Sequence, residues 1–261
     1  MKKVNKTIDL IEQRVSLRKF ADRKISCQVK NQILHSTLRA PTAGNMMLYS
    51  IIDVVDQHKK EVLSRSCDNQ PFIAKAPLVL IFLADFQRWY DYYKLSDVKD
   101  YCKQNGKEFI GPTEADLMLG CSDALIAAQT AVLAAESLEI GSCYIGDIME
   151  NYETHRELFE LPEWTFPVTM LVMGYYPDNR PTPRPRFNQE YIVTKDIYHK
   201  LTDAELQDLF AERSQRFKPD NSLAAQNFGQ FMYGRKTGAD FSAEMARSVK
   251  KFLKHWQGEK L

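Results

Sequence analysis

The sequence predicts a mixed helix-and-strand chain built around a buried sheet and a buried central helix. Two observations carry this. PLVLIFLAD (77–85) and FPVTMLVMG (166–174) are nearly continuous apolar runs, as strands covered on both faces require. Between them, Ala115–Leu138 keeps apolar residues at three- and four-residue steps, with small and apolar residues over much of the other side as well. The composition agrees with a globular chain: 261 residues, 44% hydrophobic and 26% charged. That length is about 1.7 times a ~150-residue domain, so one large domain or a domain with an extension is expected.

In chain order, residues 7–14 (TIDLIEQR) form a short helix, with Leu10 and Ile11 following Thr7 and Ile8 at helical steps. Ser26 caps a second helix, 27–39, whose Val29, Ile33 and Leu34 share a stripe. Pro41 stops it, and APTAGN (40–45) is a turn. YSIIDVV (49–55) is a β-branched strand, followed by a helix at 57–66 and a loop around Cys67–Gln70. Residues 86–113 are aromatic and charged without clear period, an irregular insertion with some helix. Gly141 ends the region of the long helix, and SCYIG (142–146) is a short strand. A helix at 151–160 stops before Pro162. After the 166–174 strand, Tyr175 to Phe187 is a Pro- and Arg-rich extended loop. Residues 202–212 and 239–256 are helices with a polar segment between them. The composition shift near 175–200 divides the chain into a core at 1–195 and a helical C-terminal extension at 196–261.

Several function classes lose ground at once. Thirty-five Lys and Arg against 34 Asp and Glu leave a net charge of +1, without the basic excess of a nucleic-acid binder. An anion must therefore be caught by a local cluster of cations. Five cysteines form no CxxC pair, and Met1-Lys2-Lys3 opens no signal peptide, which points to reduced thiols in a cytoplasmic protein. Five scattered histidines make no zinc pattern. Asp116, Asp123, Gln129 and Glu136 interrupt the long helix, so no membrane span is expected. No GxGxxG follows a strand, and Gly106 and Gly111 have P-loop spacing but Pro112 where the lysine must stand. No GxSxG or catalytic triad is visible.

What remains is cationic sequence beside turn-forming backbone. RVSLR places Arg14 and Arg18 four apart, on one face of a helix end, with the Ser16 hydroxyl between them. PTAGN (41–45) lets backbone approach a ligand at Gly44. PTPRPR puts Arg184 and Arg186 on a stiff loop, where two guanidinium groups can meet one phosphate or a proline-rich motif can meet a partner protein.

In this order, around these strands, the motifs resemble the flavin-dependent nitroreductase family. The similarity is greatest to its branch of NADPH-dependent oxygen-insensitive nitroreductases and flavin reductases with a C-terminal extension. RVSLRKF resembles the family's Arg-x-Ser-x-Arg-x-Phe opening, and APTAGNMM its Ala-Pro-Ser-x-x-Asn turn. AAESLEIGSCYIGDI (134–148) is similar to the long-helix end with its following strand, and MGYYPDNRPTPRPR (173–186) to the closing strand exit and basic loop. The resemblance spans roughly residues 8–190 and continues weakly to the end.

The resemblance implies an α+β fold, a three-layer sandwich with a mostly antiparallel sheet and helices on both faces. It implies noncovalent FMN at a homodimer interface, with NADPH, or else NADH, as donor. Arg14, Ser16, Arg184 and Arg186 would face the FMN phosphate, and Arg18 would lie by N1 and O2. Thr42, Gly44 and Asn45 match the turn that cups the partner's flavin, and Gln70 a group at the pyrimidine edge. Tyr144, Ile145 and Gly146 match the strand over the other flavin face, with the Gly146 N–H donating to N5. No side chain would act as nucleophile. Arg235 and Lys236, in a segment made flexible by Gly234 and Gly238, would read the NADPH 2′-phosphate. Hydride would pass to the flavin and then to a nitroaromatic, a quinone or free flavin in a ping-pong cycle; a flavin-binding sensor or store without turnover is the alternative. Two departures stand out: Met47 where many relatives have Gln, and Asp147, a negative charge, where many have a second Gly.

Overall fold

The computed structural model describes residues 5–258. The Met1-Lys2-Lys3 opening and the outer ends of the two expected segments lie outside the described residues. Four strands form one sheet, β1 (Tyr49–Asp53), β2 (Leu78–Asp85), β3 (Ile140–Ile145) and β4 (Thr165–Tyr175), in the order β1-β2-β4-β3. All three neighbouring pairs are antiparallel. Every residue of β2 and β4 is buried, so both sheet faces are covered, as their unbroken apolar runs require. The β2–β4 register shifts between Phe82 and Leu83, opposite Thr169 and Pro167, where the proline has no N–H to give the ladder.

The helices are α1 (Lys6–Gln13), α2 (Cys27–Thr37), α3 (Gln57–Ser66), α4 (Phe72–Lys75), α5 (Gln87–Leu95), α6 (Val98–Gln104), α7 (Glu114–Glu136), α8 (Tyr152–Leu158), α9 (Asp203–Gln215), α10 (Phe228–Met232) and α11 (Asp240–Trp256). The central helix α7 starts at a capping box of Thr113 and Asp116 and packs on all four strands, with α2 against it. Its close approach depends on Gly120, where a Cβ would stand 3.0 Å from the Ala84 Cβ and 3.1 Å from the Leu48 carbonyl oxygen. By length and composition α7 is apolar enough to cross a membrane, but Ala127, Ala128, Ala131, Val132 and Ala135 are all in the core.

Four expectations are corrected. Helix α7 ends at Glu136, and Gly141 lies inside β3 rather than stopping the helix. A Cβ at Gly141 would come within 2.7 Å of both Leu17 and Tyr176, so glycine there admits two side chains. The 86–113 insertion is two helices, α5 and α6, joined at Asp97 with φ of 51°. The break resets the helical phase, which is why no single period shows. Trp89 anchors α5 by donating to the Met46 carbonyl at 2.8 Å.

The segment between α9 and α11 is helical too: α10 runs into a π-turn, Tyr233–Thr237. Last, the expected division at 195/196 differs from the compact units, which are Met1–Pro183 with Glu244–Leu261, and Arg184–Ala243. Helix α11 returns to the first unit because its apolar face is needed there. Phe252 and Trp256 are buried, Phe252 edge-on to Tyr152 and Phe166, and Trp256 donates to the Thr113 carbonyl at 2.9 Å. Elsewhere element ends move by a residue or a few; β1 stops at Asp53 and leaves Val55 exposed.

Candidate functional site

Helix α1 ends at Gln13, and Arg14 is already extended with φ −63° and ψ 132°. Arg14 and Arg18 therefore share a face by strand alternation, not by helical spacing. Val15 and Leu17 point into the core at 7% and 1% exposure, so Arg14, Ser16 and Arg18 take the other side. The segment is pinned to β3 by the Leu17 N–H donating to the Ser142 carbonyl at 2.9 Å and a parallel bridge between Ser16 and Ser142. Arg14 Nη1 is buried and has no partner. The nearby buried carboxylate, Glu136, is engaged elsewhere, accepting from the Tyr176 hydroxyl at 2.8 Å and from Arg180 at 3.2 Å. A buried guanidinium nitrogen without a partner suits an incoming anion, so the residues present fit a phosphate.

Cys143 marks where the chain segments converge. Burial pushes its thiol up, while Arg18, Arg14 and a hydrogen bond from Ser16 pull it back. Asp147, just past β3, faces the same thiol and accepts from Gln70 Nε2 at 2.8 Å. The Arg18 guanidinium lies 5.9 Å from the Phe72 ring centre. Tyr144 is half-buried, its phenol pushed up to about 12 by burial, and its hydroxyl donates to Gln129 at 3.1 Å. Ile145 is a core residue at 2% exposure, whereas Gly146 is exposed and opens a 3-10 turn, Gly146–Met149. A Cβ at Gly146 would meet only the Met149 Cε, at 4.0 Å, so the space above it is open. Arg14, Ser16, Arg18, Gln70, Tyr144, Ile145 and Gly146 thus gather around the C-terminal end of β3.

The turn at Thr42, Gly44 and Asn45 is built separately. Gly44, Asn45 and Met47 take φ of 54°, 59° and 52°. The buried Asp123 of α7 holds the turn: its carboxylate accepts from the Ala43 N–H at 2.9 Å, the Leu48 N–H at 3.1 Å and the Thr42 hydroxyl. No hydrogen bond among the described residues joins this turn to the cluster at the end of β3. Sequence reasoning met Asp123 only as a charge interrupting an apolar helix; that interruption was the signal that could have found it.

In the second unit, Arg184, Arg186 and Arg235 line one cavity of about 610 Å³. Arg213 of α9 and Arg216, the residue that caps its C-terminal end, line it too, and both escaped the sequence reading. Their three-residue spacing on a helix face was the available signal. Arg213 stacks on Phe187, with 3.7 Å between guanidinium carbon and ring centre. Lys236 lies 5.1 Å from the Phe241 ring centre and is not among the lining residues. Gly238, expected to supply flexibility, has a closer structural reason: a Cβ there would fall 2.7 Å from the Tyr233 ring.

The sequence model of the nitroreductase family matches residues 11–175. The chain belongs to the nitroreductase family. An FMN reductase (NAD(P)H) of Bacillus subtilis is 33% identical over 197 residues, 75% of each chain. A second B. subtilis relative, FMN reductase (NADPH), is 31% identical over 200 residues, 77% of each chain. Among solved structures, NfrA2 of B. megaterium matches with a TM-score of 0.80 at 29% identity, covering 95% of this chain and 98% of that one. The nitroreductase match stops short of Arg184, so the arginine-lined cavity lies outside the shared family segment. Within this nitroreductase chain, the Asp147 side chain accepts from Gln70 Nε2.

Proposed function

We propose that this chain is an NAD(P)H-dependent FMN oxidoreductase that passes two electrons to small acceptors: nitroaromatics, quinones or free flavin. The observation that supports it most is the unpartnered Arg14 nitrogen in a cluster that also holds Arg18, Gln70 and residues 144–146. The FMN reductase names of the two Bacillus relatives point the same way. Bound FMN would supply two-electron hydride chemistry that no side chain can.

The protein's part is binding and electrostatics. Arg14 and Ser16 bind the phosphate by charge-assisted hydrogen bonds. Arg18 would hold a cation by N1 and O2, where it would stabilise negative charge on reduced FMN. Gly146, first in its turn, has an N–H with no partner in that turn and offers it at N5. Tyr144 covers one face with the backbone of Ile145, whose side chain is in the core, and Gln70 pairs with the pyrimidine edge. Arg235 and Lys236 read the 2′-phosphate and favour NADPH over NADH. Oxidised nicotinamide leaves before the acceptor enters the same pocket, a ping-pong order.

The protein is a homodimer in this reading. Thr42, Gly44 and Asn45 serve the partner's flavin, and Met118, Leu119, Leu125 and Ile126 leave an exposed apolar strip on α7. Five free cysteines support a cytoplasmic setting. The test is to purify the protein with FMN and add NADPH without oxygen. Bleaching of the yellow absorbance, reversed by a nitroaromatic or quinone, is the expected result. Bound flavin that NADPH leaves oxidised would point to a sensor or store; a chain that takes up no FMN refutes the reading.

A further inference from the structure

Gln70 is held with unusual definiteness for a side-chain amide. Its backbone N–H donates to the Ser64 carbonyl at 2.7 Å, and its carbonyl accepts from Ile73 at 3.1 Å. Asp68 and Asn69, just before it, take φ of 56° and 50°, which turns the chain sharply after α3. The side-chain Nε2 donates twice, to Asp147 Oδ2 at 2.8 Å and to the Cys67 carbonyl at 2.9 Å. Both partners are pure acceptors. The amide cannot be turned over without setting its oxygen against two oxygens. Both Nε2 protons are therefore committed, and Oε1 makes no hydrogen bond among the described residues.

Behind Asp147 stands Glu150. It is 3% exposed, its Oε1 is buried without a partner, and its carboxyl is hydrogen-bonded to Asp147. Asp147 on the same turn, Asp68 and Cys67 after α3, Glu244 of α11 and His155 of α8 surround it. None of these is a lysine or arginine, and burial pushes the His155 imidazole down from its ordinary value, with Nδ1 on the Ile148 carbonyl and Nε2 on Ser66. Burial first, then Asp147, lifts the Glu150 carboxyl to about 8. Burial and the neighbouring Asp147 thus favour the protonated form of the Glu150 carboxyl, which can donate a hydrogen bond toward Asp147.

We propose that Asp147, backed by Glu150, is a positioning residue that fixes the Gln70 carboxamide as an acceptor only, so that the site selects a flavin by its N3–H. The inference rests on the FMN reading of the site. The pyrimidine edge offers one donor, N3–H, between two carbonyl acceptors. An unconstrained glutamine can serve either kind of group; this one can serve only the donor. The acidic residue in place of a second glycine after Gly146 thus acts on cofactor recognition.

The test uses the full chain loaded with FMN labelled with ¹⁵N at N3, read as the N3–H resonance by NMR. FMN affinity is read in parallel by quenching of flavin fluorescence. A sharp, exchange-protected N3–H signal is expected in the wild type. Asp147→Asn, whose side-chain oxygen still accepts from Gln70, retains it, and so does Glu150→Gln. Asp147→Ala frees the amide, broadens or abolishes the signal and weakens FMN by roughly fivefold to tenfold, about the loss of one hydrogen bond. Gln70→Met, which leaves Asp147 in place, gives the same loss and covers the case in which Asp147→Ala fails to fold. An unchanged N3–H signal in either folded variant, or no protected signal in a wild type that binds FMN, overturns the inference and leaves the FMN reading standing. A wild type that does not bind FMN overturns both.

Discussion

Asp123→Asn is the sharpest structural perturbation available in this fold. The carboxylate is 2% exposed and is the common acceptor for the Ala43 N–H at 2.9 Å, the Leu48 N–H at 3.1 Å and the Thr42 hydroxyl. Asparagine has nearly the same shape but replaces one oxygen by an NH2 that faces donors. Hydrogen bonds to a charged group contribute roughly 1.5–3 kcal/mol each, and a buried donor left unpaired costs about 1–3 kcal/mol. At least one of the three bonds is lost and the others fall to neutral strength. The expected loss is about 3 kcal/mol of unfolding free energy, a large part of the ~5–15 kcal/mol typical of a domain. Urea unfolding followed by circular dichroism and tryptophan fluorescence measures it, with the slopes compared to confirm the same transition. Amide exchange at Ala43 and Leu48 should rise in the same variant. A change below about 0.5 kcal/mol, the level of an ordinary surface substitution, would refute the view that Asp123 holds the turn.

Arg14→Ala should weaken FMN by roughly tenfold or more, at 1.4 kcal/mol per decade; an unchanged affinity in fluorescence titration removes Arg14 from the phosphate site. Arg235→Ala with Lys236→Ala should raise KM for NADPH and leave that for NADH nearly unchanged. Equal loss with both donors would show that these cations do not read the 2′-phosphate. Light scattering should give a dimer, and Leu119→Glu with Ile126→Glu should split it and release FMN; a wild-type monomer that keeps FMN is the opposing result. Arg247, and then Lys251, hold the Glu153 carboxyl below its usual range, and Arg247 holds Glu244 down to about 2. Because the folded pKa values are depressed, the stabilisation is full above the ordinary ~4.3 of a glutamate and fades as pH falls toward about 2. Arg247→Ala should lower the melting temperature at neutral pH and match the wild type near the acid end; a pH-independent difference would contradict the ion-pair origin.

The parts of the fold legible in the sequence were those set by local pattern. The unbroken apolar runs of β2 and β4 and the spacing along α7 each carry their own signal within a few residues. The arrangement of Arg14, Ser16 and Arg18 was legible in outcome but not in cause. Helical and extended spacing both put residues four apart on one side, and only the burial of Val15 and Leu17 distinguishes them. Asp123 was misjudged because its partners lie about 80 positions away in sequence, at Thr42, Ala43 and Leu48. Asp147 was judged by its charge alone, since nothing local to YIGDI announces Gln70. Arg213 and Arg216 escaped notice because only folding sets them around a cavity with Arg184 and Arg186.

The return of α11 to the first unit has a consequence for synthesis on the ribosome. Thr113 and Trp256 are 143 residues apart, and the Tyr152–Phe252–Phe166 cluster joins residues separated by up to a hundred positions. A vectorially emerging chain can pair β1 to β4 early, yet the apolar ground beneath α11 stays open until residue 256 leaves the exit tunnel. Residues 184–243 are made during that interval, while the nascent first unit still exposes Tyr152 and Phe166. Such an exposed patch is what holdase chaperones bind, and a ribosome stalled within residues 184–243 should present it continuously.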